Sequence, residues 1–298
     1  MLKSYRPLII CVVLIIVAFA IVTKFSSTAV SSENSENNSE QSLSIDSEDE
    51  KVQDKEEDTV EPSEDTVSPE VETNENEEVT EEPVKSIADE TGKVVYLTFD
   101  DGPSSVSDEI LDTLDQFNAK ATFFMLEPAM KQYPEAVRRT VKDGHAVGLH
   151  GVTHNKDIFY KSEQSALGEM KTAQDTLESI SGVHSSLIRT PYGSIPYLTD
   201  SFREVFDQNG FKLWDWNVDS SDWSLSKDEY VKNVISQVEK LENDGITPVI
   251  LMHDRGETAH HLSTLLQYLQ EQGFQTKVID EHIQAYHFNC YNRCYRLP

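Results

Sequence analysis

Two carboxylates stand side by side at Asp100-Asp101, directly after an apolar run over residues 94–99, and two imidazoles stand four apart at His150 and His154. One carboxylate and two neutral imidazoles, bound at ~2.0–2.2 Å, make a donor set for a borderline divalent cation with a position left open for water. The second carboxylate is then free to take a proton. That is the chemistry of a metal-dependent hydrolase. Three further segments carry other groups such a site needs: Arg189-Thr190-Pro191-Tyr192-Gly193, Asp219-Ser220-Ser221-Asp222-Trp223 and Leu251-Met252-His253. Read singly, these residues have plainer explanations. Asp101-Gly102-Pro103 is a turn signal, Arg189 reads as a strand-end ion pair and Trp223 as core. Gly151-Val152-Thr153 between the two histidines favours a loop over a helix. In extended backbone neighbouring side chains point to opposite faces, so one of Asp100 and Asp101 is expected to reach a cation, and spacing does not say which.

The elements that must position these groups follow from periodicity. Strand-like runs at 94–99, 121–126, 146–150, 187–189, 211–217, 249–253 and 276–279 alternate with helical patterns at 107–117, 134–142, 162–180, 227–241 and 261–271. Gly144, Gly182, Gly210, Gly245 and Gly273 fall near the ends of helical segments, where a left-handed residue often closes the last turn. Such alternation predicts an α/β fold, an irregular (β/α) barrel of about seven parallel strands, with its chemistry at the carboxyl ends of the strands. Asp100-Asp101 follows the first run, His150 ends the third, Arg189 the fourth, Asp219 and Asp222 follow the fifth, and His253 ends the sixth. Polar residues scattered in sequence are thus expected on one rim. His145, His184, His260, His261, His282 and His287 are assigned no role and read as packing or surface residues.

Composition sets the surroundings. Of the 298 residues, 31–90 carry 23 acids against three lysines, and the whole chain has a formal net charge of -28. Nucleic acid is excluded as a partner, because binding a polyanion requires a basic face. Residues 8–22 are unbroken apolar sequence with Lys3 and Arg6 before and Lys24 after, so 1–25 reads as a transmembrane anchor with its amino terminus inside, or as a cleaved signal segment that leaves the protein secreted. Either outcome exports the rest. Residues 26–92 lack any aromatic side chain and read as a disordered acidic linker, 93–285 as the folded domain and 286–298 as a C-terminal tail. Cys290 and Cys294 could close a small loop there or remain two thiols. No Gly-x-Ser-x-Gly occurs, which disfavours a serine esterase.

Taken in order, Thr98-Phe99-Asp100-Asp101-Gly102, His150 with His154, Arg189 to Gly193, Asp219 to Trp223 and Leu251-Met252-His253 resemble the five motifs of the polysaccharide deacetylases, carbohydrate esterase family 4 or NodB-homology domain. The resemblance implies that Asp101, His150 and His154 hold one divalent metal ion, Zn first and Co, Ni or Fe as options, with Asp100 as general base and His253 as general acid. It further implies that Arg189 holds Asp100, that Asp222 orients His253, that the Tyr192 backbone N–H faces the oxyanion, and that Trp223 and Leu251 line the acetyl pocket. The implied reaction is hydrolytic deacetylation of N-acetylglucosamine units in a cell-wall glycan, peptidoglycan first. Other polymers (chitin-like oligomers, an exopolysaccharide, acetylated xylan) and a catalytically silent glycan-binding domain are the alternatives. Gly151 departs from the family, which has Ser or Thr after the first histidine, and this puts ligand orientation in question.

Overall fold

The structure is a computed structural model that describes residues 85–86 and 92–297. The apolar segment and nearly all of the acidic stretch lie outside the described residues.

Strand β2 (Val94–Asp100) is the axis of the fold, flanked in the chain by β1 (Lys85–Ser86) and β3 (Thr122–Met125); then come β4 (Ala146–Leu149), β5 (Leu187–Ile188), β6 (Lys212–Leu213), β7 (Val218–Asp219), β8 (Val249–His253), β9 (Gln275–Lys277) and β10 (Ile283–Gln284). The main ladder is parallel and runs β6-β5-β4-β3-β2-β8-β7, with β9 also paired to β2. It curls into an incomplete barrel, as the strand–helix alternation predicts. All seven residues of β2 are buried, as a central parallel strand covered on both faces requires.

Alternation along β2 builds two cores. Val95, Leu97 and Phe99 point outward into the larger cluster beneath the helices, while Val94 and Tyr96 point into the barrel with Phe124, Leu187, Trp214 and Val249. Thr98 and Asp100 continue that inward series, so the strand that seals the base with apolar side chains delivers a carboxylate to the rim.

The helices are α1 (Ser107–Gln116), α2 (Glu127–Gln132), α3 (Pro134–Lys142), α4 (Lys156–Phe159), α5 (Glu163–Ser181), α6 (Asp200–Gln208), α7 (Glu229–Asn243) and α8 (Gly256–Glu271). In α8 the buried Leu262, Leu265, Leu266 and Leu269 recur every three or four residues and face the sheet. Each contributes roughly 1.5–3 kcal/mol relative to exposure, so Leu266→Ala alone would cost ~2–5 kcal/mol. The Ser162 side chain caps α5 by accepting from Ser165 N, and Gly182 at φ +76° closes it.

Three features depart from expectation, and one alternative left open is decided. The run 211–217 is not one strand: its ladder stops at Leu213, and the chain crosses from one edge of the sheet to the other to start β7. Asp215 causes the departure, because its backbone N–H bonds Tyr286 O at 2.8 Å while its carboxylate takes Ser194 N at 3.0 Å and Phe288 N at 2.7 Å. Helices α2, α4 and α6 appear where no helix was read. Within the stretch read as linker, Lys85–Ser86 adds as a parallel strand to β10, a backbone pairing that needs no apolar side chains. Cys290 and Cys294 form a disulfide, and the tail packs on the domain through Tyr295 N to Pro196 O, 2.9 Å, and the Tyr197–Tyr295 ring pair.

Candidate active site

Asp100 ends β2 in register with His253 of β8, which fixes two candidate groups on adjacent strands. Asp101 does not continue the strand. Its φ is +70°, so the chain turns and both carboxylates face the same cleft, correcting the expectation that neighbours must diverge. The turn depends on Gly102, since a Cβ there would lie 2.5 Å from Asp254 Oδ2.

His150 extends the β4 ladder through its N–H to Met125 O, 2.8 Å. Its Nδ1 lies 2.7 Å from Arg189 O, and because a carbonyl only accepts, Nδ1 carries the proton and Nε2 presents a lone pair. That Nε2 is 3.4 Å from Asp101 Oδ1 and 3.9 Å from Asp100 Oδ2. His154 Nε2 is also 3.4 Å from Asp101 Oδ1, and its imidazole is held below its ordinary pKa by burial and by neighbouring His150. The histidines are joined by a loop, as Gly151-Val152-Thr153 indicated, with Gly151 at φ +87° and His154 at +45°.

Glu169, on α5, holds that loop. Its Oε2 accepts from Val152 N and Thr153 N, both 2.9 Å, and its Oε1 from Thr153 Oγ1, 2.7 Å. A Cβ at residue 151 would come within 3.1 Å of Glu169 Oε2 and 3.3 Å of Phe159, at a φ that side chains rarely adopt, so Gly fits here. Orientation comes from this buried carboxylate acting on the backbone rather than from a hydroxyl beside His150. Sequence reading missed Glu169. The one local signal was an acid on the apolar stripe of α5, among Ala166, Met170 and Ala173.

Arg189 is completely buried over the Phe124 ring, 4.2 Å from its centroid. Its guanidinium donates to Asp100 Oδ1 (2.8 Å), Thr98 Oγ1 (2.7 Å), Trp214 O (3.2 Å) and Asp215 O (3.0 Å), so the strand-end ion pair is part of the site. Asp222, equally buried, accepts from His253 N (2.8 Å), His253 Nδ1 (2.7 Å) and Thr258 Oγ1. Burial alone would lower the His253 pKa, but the hydrogen bond it donates to Asp222, with the charges of Asp222, Asp100 and Asp101, outweighs it and pushes His253 up to about 9. In return Asp222 is held below the usual carboxylate range, His253 overcoming the effect of burial. His145, assigned no role, is a core histidine that accepts from Ala121 N and is pulled down to about 4 by burial.

Tyr192, Trp223 and Leu251 line the same cleft, of about 650 Å³, with Asp100, Asp101 and His253. Leu251 is buried in its wall, whereas Trp223 is 62% and Tyr192 54% exposed, so both aromatics stand on the rim and Trp223 is not core. The Tyr192 ring packs 4.7 Å from His154 and its Oη donates to His154 O at 2.8 Å. Tyr160 Oη, between Pro191 O and Gly193 O at 2.8 and 2.9 Å, steadies the loop beneath Tyr192 and was also not anticipated.

The residues fit a divalent cation. Asp101 Oδ1 is buried without a hydrogen-bond partner, and it and the two Nε2 atoms lie within 4.8 Å of one another. Ligands at ~2.1 Å in tetrahedral array sit ~3.4 Å apart, which is the spacing from this oxygen to each imidazole nitrogen.

Residues 88–214 match the family model described as polysaccharide deacetylase. The Bacillus subtilis protein YheN, named for the same family, is 46% identical over 197 residues, covering 65% of this chain and 70% of its own. The chain belongs to the polysaccharide deacetylase family. A peptidoglycan-N-acetylglucosamine deacetylase of Bacillus cereus is 38% identical over 203 residues, again 65% of this chain and 70% of the relative. The solved catalytic domain of a peptidoglycan N-acetylglucosamine deacetylase from Eubacterium rectale superposes with a TM-score of 0.63 at 28% identity, over 70% of this chain and 97% of that one. As a polysaccharide deacetylase the chain is a hydrolase, and the fold read from its sequence is that of the family.

Proposed function

We propose that this polysaccharide deacetylase removes acetyl groups from N-acetylglucosamine units of peptidoglycan, outside the cytoplasmic membrane, with Zn²⁺ held by Asp101, His150 and His154. The observation that carries the reading is the bare Asp101 oxygen facing two imidazole nitrogens between Asp100 and His253. The names of the relatives support the substrate, and the exported topology read from residues 1–25 supports the location.

When bound, the cation supplies Lewis acidity that polarises the acetamide carbonyl and makes water easier to deprotonate. Asp100 takes the proton of the attacking water, its carboxylate held in place by the hydrogen bond that Arg189 donates to Oδ1 at 2.8 Å. The Tyr192 backbone N–H is directed at the developing oxyanion, where one lost donor costs ~2.7–4 kcal/mol in other enzymes. His253, kept cationic by Asp222, gives its proton to the departing amine. Leu251 and Trp223 take the acetyl methyl. Acetate and a free glucosamine unit leave.

The test is acetate release from purified peptidoglycan by the full-length chain, with and without a chelator, beside neutral chitin oligomers. Release that the chelator abolishes and Zn²⁺ restores is the expected result. Acetate from chitin oligomers but none from purified wall would refute the peptidoglycan assignment.

A further inference from the structure

Arg255, two residues past His253 and immediately before α8, lines the catalytic cleft and is half-buried. Its guanidinium differs from the other cationic groups there. Arg189 distributes its donors over Asp100, Thr98 and two backbone carbonyls, and His253 is bonded to Asp222. The Arg255 side chain has no hydrogen-bond or ion-pair partner among the described residues, its backbone carbonyl alone accepting from Ala259 N. The acids nearest in sequence are committed elsewhere: Asp254 takes the hydroxyls of Ser104 at 2.7 Å and Ser107 at 2.6 Å, and Glu257 takes Lys227 N at 3.3 Å. Asp100, Asp101, Asp219 and Asp254 line the same cleft. Such a cleft repels an anionic polymer except where an unpaired cation offsets the acids.

We infer that Arg255 is a specificity residue that receives a carboxylate carried by the glycan beside the acetylated sugar. This rests on the cell-wall reading above. A guanidinium offers parallel N–H donors that match a carboxylate in two-point contact, and half-burial strengthens the pairing relative to open solvent. In peptidoglycan the carboxylate has two sources: the lactyl ether of the adjacent sugar, free when the peptide is absent, or the acids of the peptide stem when it is present. Arg255 touches neither the reacting bond nor the candidate metal ligands, so its loss acts on substrate choice and not on turnover of a neutral glycan.

The experiment compares full-length wild type with Arg255→Gln and Arg255→Lys on four substrates: neutral chitin oligomers, the same oligomers O-carboxymethylated, glycan strands stripped of peptide, and strands with intact stems. Acetate release gives kcat/KM at two salt concentrations. The expected result is that Arg255→Gln lowers kcat/KM about tenfold on carboxymethylated oligomers and on one class of strand, mainly through KM, and leaves neutral oligomers unchanged. Arg255→Lys recovers part of the loss, and raised salt shrinks the difference. The class of strand affected identifies the source of the carboxylate. Equal loss on neutral and carboxylated oligomers, or no loss on either, overturns the inference. Wild type that deacetylates both oligomer sets but neither strand would sink the peptidoglycan assignment alone, because the carboxymethylated arm still judges Arg255.

Discussion

The cleft holds the same motif twice, a buried carboxylate against a cation, and the two copies expose opposite partners. In Asp100–Arg189 the guanidinium is fully buried and is bonded on all three nitrogens, and the carboxylate faces the cleft with Oδ2 toward His150. In Asp222–His253 both carboxylate oxygens are occupied, Oδ1 by the imidazole and Oδ2 by a backbone N–H and a threonine, and it is His253 that lines the cleft. Which partner is sealed away decides whether a pair offers a proton acceptor or a proton donor. One cleft therefore presents base and acid at the same pH, without their neutralising each other.

Substitutions can break that contrast one side at a time. The largest effect is expected from Asp100→Asn, which keeps the shape but removes the acceptor and should lower kcat by about 10³-fold, with metal content by atomic absorption unchanged. His253→Ala should lower kcat by roughly 10²-fold and also retain metal, whereas His154→Ala should lose metal and activity together. Metal lost in His253→Ala and kept in His154→Ala would reverse the assignments. Arg189→Met leaves Asp100 buried and unpaired, and urea unfolding should report ~3–5 kcal/mol of lost stability.

The pH profile sharpens the contrast. His253 is raised from 6.5 to about 9, so its pairing with Asp222 stabilises the fold fully below about 6.5 and is lost as pH rises through about 9. The alkaline limb of kcat/KM should lie there in the wild type. In Asp222→Asn it should move down, because burial is then opposed only by the charges of Asp100 and Asp101. An unmoved limb would show that His253 does not set it. The smallest effect lies outside both pairs: Glu169→Gln should weaken metal affinity about tenfold through the Val152–Thr153 loop, measured by titration calorimetry, with kcat at saturating metal nearly unchanged.

How far the sequence foretold this depends on the range over which each feature is determined. The apolar run that becomes β2 was legible because strand patterning is local, and Gly182 marked the end of α5 for the same reason. The convergence of Asp100, His150, Arg189 and His253 was legible from their places at strand ends. The shared direction of Asp100 and Asp101 was not, because a positive φ at Asp101 contradicts local preference and is enforced by packing of Gly102 against Asp254. The strand over 211–217 was overcalled since Trp214 and Trp216 look like ladder residues, while the groups that divert Asp215, namely Ser194, Tyr286 and Phe288, are distant in the chain. Glu169 was invisible because it works across sixteen and seventeen residues.

The gap between β6 and β7 carries a last consequence. Where a closed barrel would set one more pair of hydrogen-bonded staves, the carbonyls of Trp214 and Asp215 are taken by Arg189. The charge that pairs with Asp100 is therefore also the keystone of an unfinished ring. No neutral replacement can spare the architecture while altering the chemistry, and selection on the proton acceptor is at the same time selection on the seam that holds the rim together.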